Sequence, residues 1–206
     1  MTTWWCRHVP YLVTAALLLV NVGGSQALAQ SDHEHALVGQ QKASTPAQRK
    51  HANELVKAVR DVTAGFQSPD LLPEGYQLLF GCVSGGEFGA MGLHFVNLGL
   101  VGDGKLNKYT PEIVLYEPLP NGKMRLTGAD YLVFAADWDA NPNHPKGPPE
   151  LDGQWFHFFE APNRFGLPAF YTLHVWAWKD NPNGTFTNWN PNVSCDGFNP
   201  PPAPFP

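Results

Sequence analysis

The sequence predicts an α+β fold: a mainly antiparallel sheet, or a partly open β-barrel, with one N-terminal helix packed on it. One segment has the apolar spacing of an amphipathic helix, and the chain after it alternates short apolar runs with Gly, Pro and Asn turns. The composition agrees, because 20 Gly, 20 Pro and 13% aromatic residues are typical of a turn-rich β protein, and only 15% of residues are charged. The length of 206 residues suits one globular domain, which we expect to span residues 45–198.

The helix is predicted to begin after Thr45, which has the character of an N-cap. Pro46 stands at the first helical position, and Gln48 completes a capping box with Thr45. Apolar residues then recur at spacings of four, three and four, at Leu55, Val59, Val62 and Phe66. Gly65 predicts a left-handed C-cap that ends the helix. We expect the apolar face of this helix to pack against the sheet.

Six apolar runs predict six strands. In order, they are Tyr76–Val83, Ala90–Leu98, Glu112–Glu117, Lys123–Ala136, Gln154–Phe159 and Phe170–Trp178. The third and fourth runs are separated by Pro120-Asn121-Gly122, which predicts a tight hairpin because Asn-Gly tolerates the positive φ that such turns need. The fourth strand is expected to bend near Gly128. A long loop rich in Pro and Asn, residues 137–149, follows it.

The first 29 residues predict export. Arg7 precedes an apolar run over residues 9–20, and Ala27-Leu28-Ala29 forms an A-x-A cleavage site, which is the order of a secretory signal peptide. The apolar run is about 12 residues long, whereas a bilayer needs about 20, so cleavage is favoured over an uncleaved anchor. We therefore expect a secreted or periplasmic protein with no stable membrane span after cleavage. Residues 30–44 are predicted to be a flexible leader and residues 199–206 a Pro-rich tail.

Two cysteines are predicted to form a disulfide. Cys6 leaves with the signal peptide, so Cys82 and Cys195 remain together in an oxidising compartment. The bond would join an early strand to the C-terminal end of the domain. A free reactive thiol and a cysteine-ligated metal are the alternatives.

The charge distribution argues against a nucleic-acid partner. The full chain has a net charge of −5, and removal of the signal peptide would make it more negative by one, because Arg7 is lost. The chain has no basic stripe, and an acidic surface repels phosphates. A small-molecule ligand fits this composition better.

Three ionisable side chains lie inside apolar strands rather than at polar edges: His94, Glu117 and His174. A buried ionisable group needs a partner, and these three satisfy one another if they converge. Two imidazoles and one carboxylate form a ligand set for Zn²⁺, or for Fe²⁺ in a facial triad. The sequence therefore predicts a divalent-metal site at these residues, with hydrolytic or oxygen-activating chemistry. Further candidate members of the set are Glu87, Asp130, His157 and Glu160.

Other interpretations of the same residues remain open. Each histidine can instead be a core residue whose ring is hydrogen-bonded to the backbone. A metal-free alternative makes His94 or His174 a general base that Glu117 orients, because histidine titrates near neutral pH.

The dense aromatic residues suggest a protein of another class. A non-catalytic binding protein would use an aromatic-lined groove for a sugar or an apolar ligand, with Tyr131, Trp176 and Trp178 as the binding residues. The aromatic side chains can equally pack beneath the long loops. A structural protein of the cell envelope, with no small-molecule site, is the third interpretation.

Four stretches resemble an uncharacterised family of exported bacterial proteins. They are Gly89–Asn97 (GAMGLHFVN), Pro111–Pro118 (PEIVLYEP), Leu167–Trp178 (LPAFYTLHVWAW) and Trp189–Cys195 (WNPNVSC). The resemblance covers about residues 76–196. It implies a bacterial, exported origin and transfers no catalytic role to any residue.

Overall fold

The computed structural model describes residues 45–199, and these residues have the predicted α+β fold. The predicted signal peptide (1–29), the leader (30–44) and the tail beyond residue 199 lie outside the described residues. The α-helices described are α1 (Pro46–Thr63), α2 (Leu98–Val101) and α3 (Ala135–Ala140). The strands described are β1 (Tyr76–Ser84), β2 (Ala90–Asn97), β3 (Ile113–Pro118), β4 (Met124–Phe134), β5 (Glu150–Leu151), β6 (Gln154–Trp155), β7 (His157–Phe159) and β8 (Phe170–Val175).

Six of these strands form one antiparallel sheet, in the order β1-β2-β3-β4-β8-β7. The sheet is open, since β1 and β7 are its two edges. Strands β5 and β6 form a separate two-stranded sheet. Because side chains alternate along each strand, every strand of the large sheet contributes residues to two faces.

Helix α1 covers one face of the large sheet. Its Leu55 and Val59 are fully buried, and they belong to one apolar cluster with Ala129 and Tyr131 of β4 and Leu173 of β8. The alternating residues of the same strands point to the opposite face. A second apolar cluster forms there, containing Leu115, Leu132 and Phe170 together with Phe165 from a loop. The candidate site lies on this second face.

The start of α1 agrees with the prediction, and its end does not. The capping box is present: the Gln48 N–H donates to Thr45 Oγ1 at 3.2 Å, and the Thr45 N–H donates to Gln48 Oε1 at 2.8 Å. The predicted left-handed cap at Gly65 is wrong. The helix ends at Thr63, and Ala64 keeps a right-handed conformation with φ −55°. The Phe66 N–H donates to the Thr63 carbonyl at 2.9 Å, so a tight last turn satisfies this carbonyl without a left-handed residue.

Two predicted strands end several residues earlier than their apolar runs, and a third run is divided into two strands. The fourth strand stops at Phe134, where α3 begins. The fifth run divides at the buried Phe156, so β6 pairs with β5 while β7 pairs with β8. The sixth strand stops at Val175, where the Ala177 N–H turns back to donate to the Val175 carbonyl at 2.8 Å. The apolar runs continue beyond β4, β6 and β8 because the residues that follow these strands are also buried.

The predicted hairpin and disulfide are confirmed. Strands β3 and β4 pair up to Pro118 and Met124 on either side of the turn, in which Gly122 has φ +76°. Cys82 of β1 is bonded to Cys195, at a sequence separation of 113 residues.

The described part of the chain contains no helix that is long and apolar enough to pass through a bilayer.

Candidate metal centre

Three buried side chains converge on the face of the sheet opposite α1: His94 of β2, Asp130 of β4 and His174 of β8. Their residues are 5%, 2% and 2% exposed. Each offers one donor atom, and these three atoms lie within 4.8 Å of one another. The group is therefore able to hold a metal ion.

The curvature of the sheet brings these residues together. Asp130 and His174 are direct cross-strand partners on adjacent strands, so their side chains share a face. His94 lies three strand spacings from His174, which is roughly 14 Å in a flat sheet with strands about 4.8 Å apart. The two imidazole centroids are 5.8 Å apart. The histidine face must therefore be concave, and its side chains point towards a common centre.

The backbone orients His94. Its Nδ1 lies 3.2 Å from the Gly92 carbonyl oxygen, and a bond to a carbonyl requires Nδ1–H to be the donor. A neutral ring then leaves Nε2 without a proton, as metal ligation requires. Gly92 has φ +85°, and a Cβ there would come within 2.4 Å of the Tyr116 carbonyl oxygen. Only glycine fits this position, so the local backbone that holds the imidazole depends on it.

Asp130 is oriented by its neighbour on β8. Thr172 Oγ1 donates to Asp130 Oδ1 at 2.6 Å, and the same oxygen lies 3.5 Å from His174 Nδ1. Burial is the main cause that raises the pKa of Asp130 to about 6, and the hydrogen bond from Thr172 works in the opposite direction. The carboxyl group therefore takes up its proton at a higher pH than an exposed aspartate does, and at pH 7 it is still mainly ionised.

Burial also keeps both histidines neutral. It lowers the pKa of His94 to about 4, with the nearby His174 as a second cause, and it lowers the pKa of His174 to about 3. Within the described residues, neither ring nitrogen of His174 makes a hydrogen bond of good geometry. The Asn188 side chain interacts with His174 and opposes the lowering of its pKa.

This arrangement matches the chemistry of a divalent transition metal. Two neutral imidazoles and one carboxylate offer nitrogen and oxygen donors, and the carboxylate compensates part of the charge of the ion. A tetrahedral zinc site with bonds of about 2.1 Å separates its donors by about 3.4 Å. The 3.5 Å between His174 Nδ1 and Asp130 Oδ1 is close to that separation.

Glu117, the carboxylate predicted from the sequence, is not part of the converging group. Its Oε2 accepts from Lys179 Nζ at 2.9 Å and lies 3.5 Å from Arg125 Nη1, while its Oε1 accepts from the Ser194 N–H at 3.3 Å. His94 is opposite Leu115 in the register. Glu117 follows two residues later, about 7 Å further along the strand. It is therefore bound in an ion pair of its own, and the carboxylate beside the histidines is Asp130.

The predicted aromatic residues do not line one groove. Tyr131 is fully buried on the α1 face, and its hydroxyl donates to the Lys108 carbonyl at 2.7 Å. Trp176 is 4% exposed and donates to the Thr187 carbonyl at 2.6 Å. Trp178 donates to Thr63 Oγ1 of α1 at 2.9 Å. Because β8 ends at Val175, Trp178 does not continue the alternation that would place it beside Trp176.

Asp130 is the member of the site that sequence reasoning ranked too low. It stood among the additional candidates with Glu87, His157 and Glu160, which lie outside the three-donor group. The sequence feature that indicates Asp130 is a carboxylate in an apolar stretch, Gly128 to Leu132, where an unpaired charge is costly. The supporting residues Thr172 and Asn188 carried no comparable signal, because hydroxyl and amide side chains are common in strands and turns.

Comparisons with protein-family models, with curated proteins and with solved structures find no match to this chain.

Proposed function

We propose that this protein is an exported metal-binding protein that holds one divalent transition metal ion, zinc in the first place, through His94, Asp130 and His174. The observation that carries the proposal is the convergence of three buried donors from three different strands. The paired cysteines support the exported part of it, because a disulfide persists in oxidising compartments.

A metal explains the cluster better than hydrogen bonding alone. A buried polar group left without a hydrogen bond costs about 1–3 kcal/mol. The side-chain hydrogen bond with Asn188 serves at most one ring nitrogen of His174, and within residues 45–199 the other has no hydrogen bond of good geometry. Asp130 is oriented by hydrogen bonds with the Thr172 side chain and the Leu173 backbone, and His94 is oriented by its bond to the Gly92 carbonyl. Such partners orient ligands around metal ions in proteins.

The burial of the donors favours a protein that holds its metal over one that turns over a substrate. Hydrolytic and oxygen-activating centres both need a coordination position open to water or substrate. The three donor residues here are at most 5% exposed. Zinc is the first choice because it accepts mixed nitrogen and oxygen donors in tetrahedral geometry and undergoes no redox change.

The test is the metal content of the untagged protein, made from the full-length coding sequence and purified without chelator. We expect close to one zinc per chain by elemental mass spectrometry, and its loss in the His94→Ala/His174→Ala double variant. Zinc at 100 times its Kd should raise the free energy of unfolding by about 2.7 kcal/mol, measured by urea denaturation.

The matched control is His51→Ala, which removes an exposed histidine of α1 and should leave the metal content unchanged. Asp130→Asn keeps the shape of the ligand and removes its charge, so it should weaken zinc binding without loss of the fold. A folded wild-type protein that binds no metal, even after reloading with zinc or iron, would contradict the proposal.

A further inference from the structure

His157 is a fourth imidazole on the same face as the three donors. It lies on β7, the edge strand beside β8, directly opposite Thr172. Cross-strand partners point to one face, and Thr172 shares its face with His174 because the two residues are two positions apart. His157 and His174 are therefore diagonal neighbours, whose Cβ atoms are about 7–8 Å apart or somewhat closer.

That separation suits two imidazoles that share one ion, because zinc–nitrogen bonds add about 2.0–2.1 Å to the reach of each side chain. The donor atoms of His157 are not within the 4.8 Å group. Ligation therefore requires its ring to turn towards the other three donors. The side chain is half-buried at the sheet edge, where it has more room to turn than the buried histidines.

In the orientation seen in the structure, a hydrogen bond indicates which ring nitrogen of His157 carries the proton. Its Nε2 lies 3.3 Å from the Phe186 carbonyl oxygen, so Nε2 carries the proton and donates it. Nδ1 of the neutral ring is then free of a proton and able to bind a metal. His94 has the same division of roles with its nitrogens exchanged, since its Nδ1 donates to the Gly92 carbonyl. Metal-binding histidines in proteins commonly donate their other N–H to a backbone carbonyl.

His157 also influences two of the donors electrostatically, in agreement with its position in the register. A protonated His157 ring acts to lower the pKa of His174 and the pKa of Asp130. These two residues come from β8 and β4, the two strands of the sheet that follow the edge strand β7.

We propose that His157 is the fourth ligand, and that it completes a tetrahedral site of three histidines and one aspartate that is closed to external ligands. The inference rests on the proposed function and refines it. A site with four protein ligands holds its ion as a structural or stored metal, whereas a site with three keeps a position for water or substrate.

Cobalt is the probe, since Co²⁺ replaces Zn²⁺ and its visible absorption reports coordination number. We expect the wild-type Co²⁺ complex to have the intense bands of a four-coordinate ion and to be unchanged by azide. His157→Ala should open a position, so that azide changes the spectrum. The zinc Kd of this variant, from competition with a chelating dye, should rise at least about tenfold, the lower end of what loss of even an outer-shell partner causes.

His157→Gln separates ligation from a structural role. Glutamine keeps an N–H for the Phe186 carbonyl but is a poor zinc ligand. This variant should therefore unfold at the same urea concentration as the wild type. Its Co²⁺ spectrum should nevertheless change on addition of azide, as that of His157→Ala does. His51→Ala is the histidine control and should behave as the wild type does.

Two results would overturn the inference while the proposed function stands: a wild-type Co²⁺ spectrum that azide already changes, or a His157→Gln protein with wild-type zinc affinity. If the folded wild-type protein binds neither Co²⁺ nor Zn²⁺, the proposed function fails and the fourth ligand fails with it.

Discussion

Glu112 shows how burial sets the charge of single side chains in this fold. It is 2% exposed and lies just before β3, where its Oε2 accepts from the Leu132 N–H at 3.2 Å. Burial raises the pKa of Glu112 to about 8, and the nearby carboxylates of Asp130 and Asp103 add to the effect. The side chain is consequently protonated in the folded protein at neutral pH. It is not one of the three converging donors.

At the residue scale we predict that Glu112 makes stability depend on pH. Its pKa is about 8 in the folded protein against a usual 4.5, so the folded state binds the extra proton between these values. The stabilisation that Glu112 contributes is therefore fully present below about pH 4.5 and is lost as the pH rises towards 8. In Glu112→Gln this loss should disappear. The difference in free energy of unfolding between the two proteins should change by up to about 1.4 kcal/mol per pH unit.

The measurement is urea denaturation of wild type and variant from pH 4.5 to pH 8.5. Glutamine keeps an oxygen that accepts from the Leu132 N–H, so the variant should remain folded. Parallel curves for the two proteins across this range would show that Glu112 is ionised in the folded state, against the prediction.

At the scale of elements, α1 packs on the face of the sheet opposite the three converging donors. Leu55 and Val59 of α1 pack against Ala129 and Leu173, which are sequence neighbours of the donors Asp130 and His174. Because side chains alternate along a strand, the donors point away from the helix while their neighbours point towards it. The helix thereby holds β4 and β8 in place without contributing a ligand.

We predict that the capping box of α1 contributes measurably to stability. Thr45→Ala removes the oxygen that accepts from the Gln48 N–H, and loss of such an N-cap costs about 0.5–2 kcal/mol. The midpoint of urea unfolding should fall accordingly, with no change in zinc Kd. Thr45→Ser keeps the hydroxyl and should restore most of the loss. An alanine variant as stable as the wild type would show that α1 frays at this end.

At the scale of the whole molecule, the disulfide links β1 to the C-terminal segment that reaches the metal centre. Cys195 follows Asn188, which interacts with His174, and Asn190, which pairs with Ala90 at the start of β2. A covalent bond to Cys82 limits how far this segment separates from the β1 residues when the chain is unfolded. The segment is also held by the hydrogen bond from the Ser194 N–H to Glu117.

We predict that removal of the disulfide destabilises the fold. Bonds that close loops of this length, 113 residues here, stabilise by an entropic term of up to about 4.7 kcal/mol, and loss of a native disulfide commonly costs about 2–5 kcal/mol. The Cys82→Ser/Cys195→Ser variant should unfold at a lower urea concentration than the wild type. Added reductant should lower the midpoint of the wild type and leave that of the variant unchanged. Equal midpoints for both proteins without reductant would contradict the prediction.

Local chemistry was sufficient to predict the parts of the fold that depend on neighbouring residues. Thr45 and Gln48 determine the start of α1, Asn121-Gly122 determines the hairpin, and Cys82 and Cys195 form the disulfide. Each of these features needs only a few side chains or one pairing. The end of α1 was not predictable in the same way, because a backbone bond from Phe66 took the place of the expected cap at Gly65.

Which side chains meet was decided by the tertiary structure. Alternation assigns His94 and Glu117 to a face, but it does not say how far along the sheet each lies or how strongly the sheet curves. The register places Asp130 opposite His174 and leaves Glu117 to Lys179. The sequence by itself thus determined the helix, the strands, the disulfide and the presence of ionisable groups in the core. Curvature and register determined which of those groups form the centre, because both arise from the packing of all the strands together.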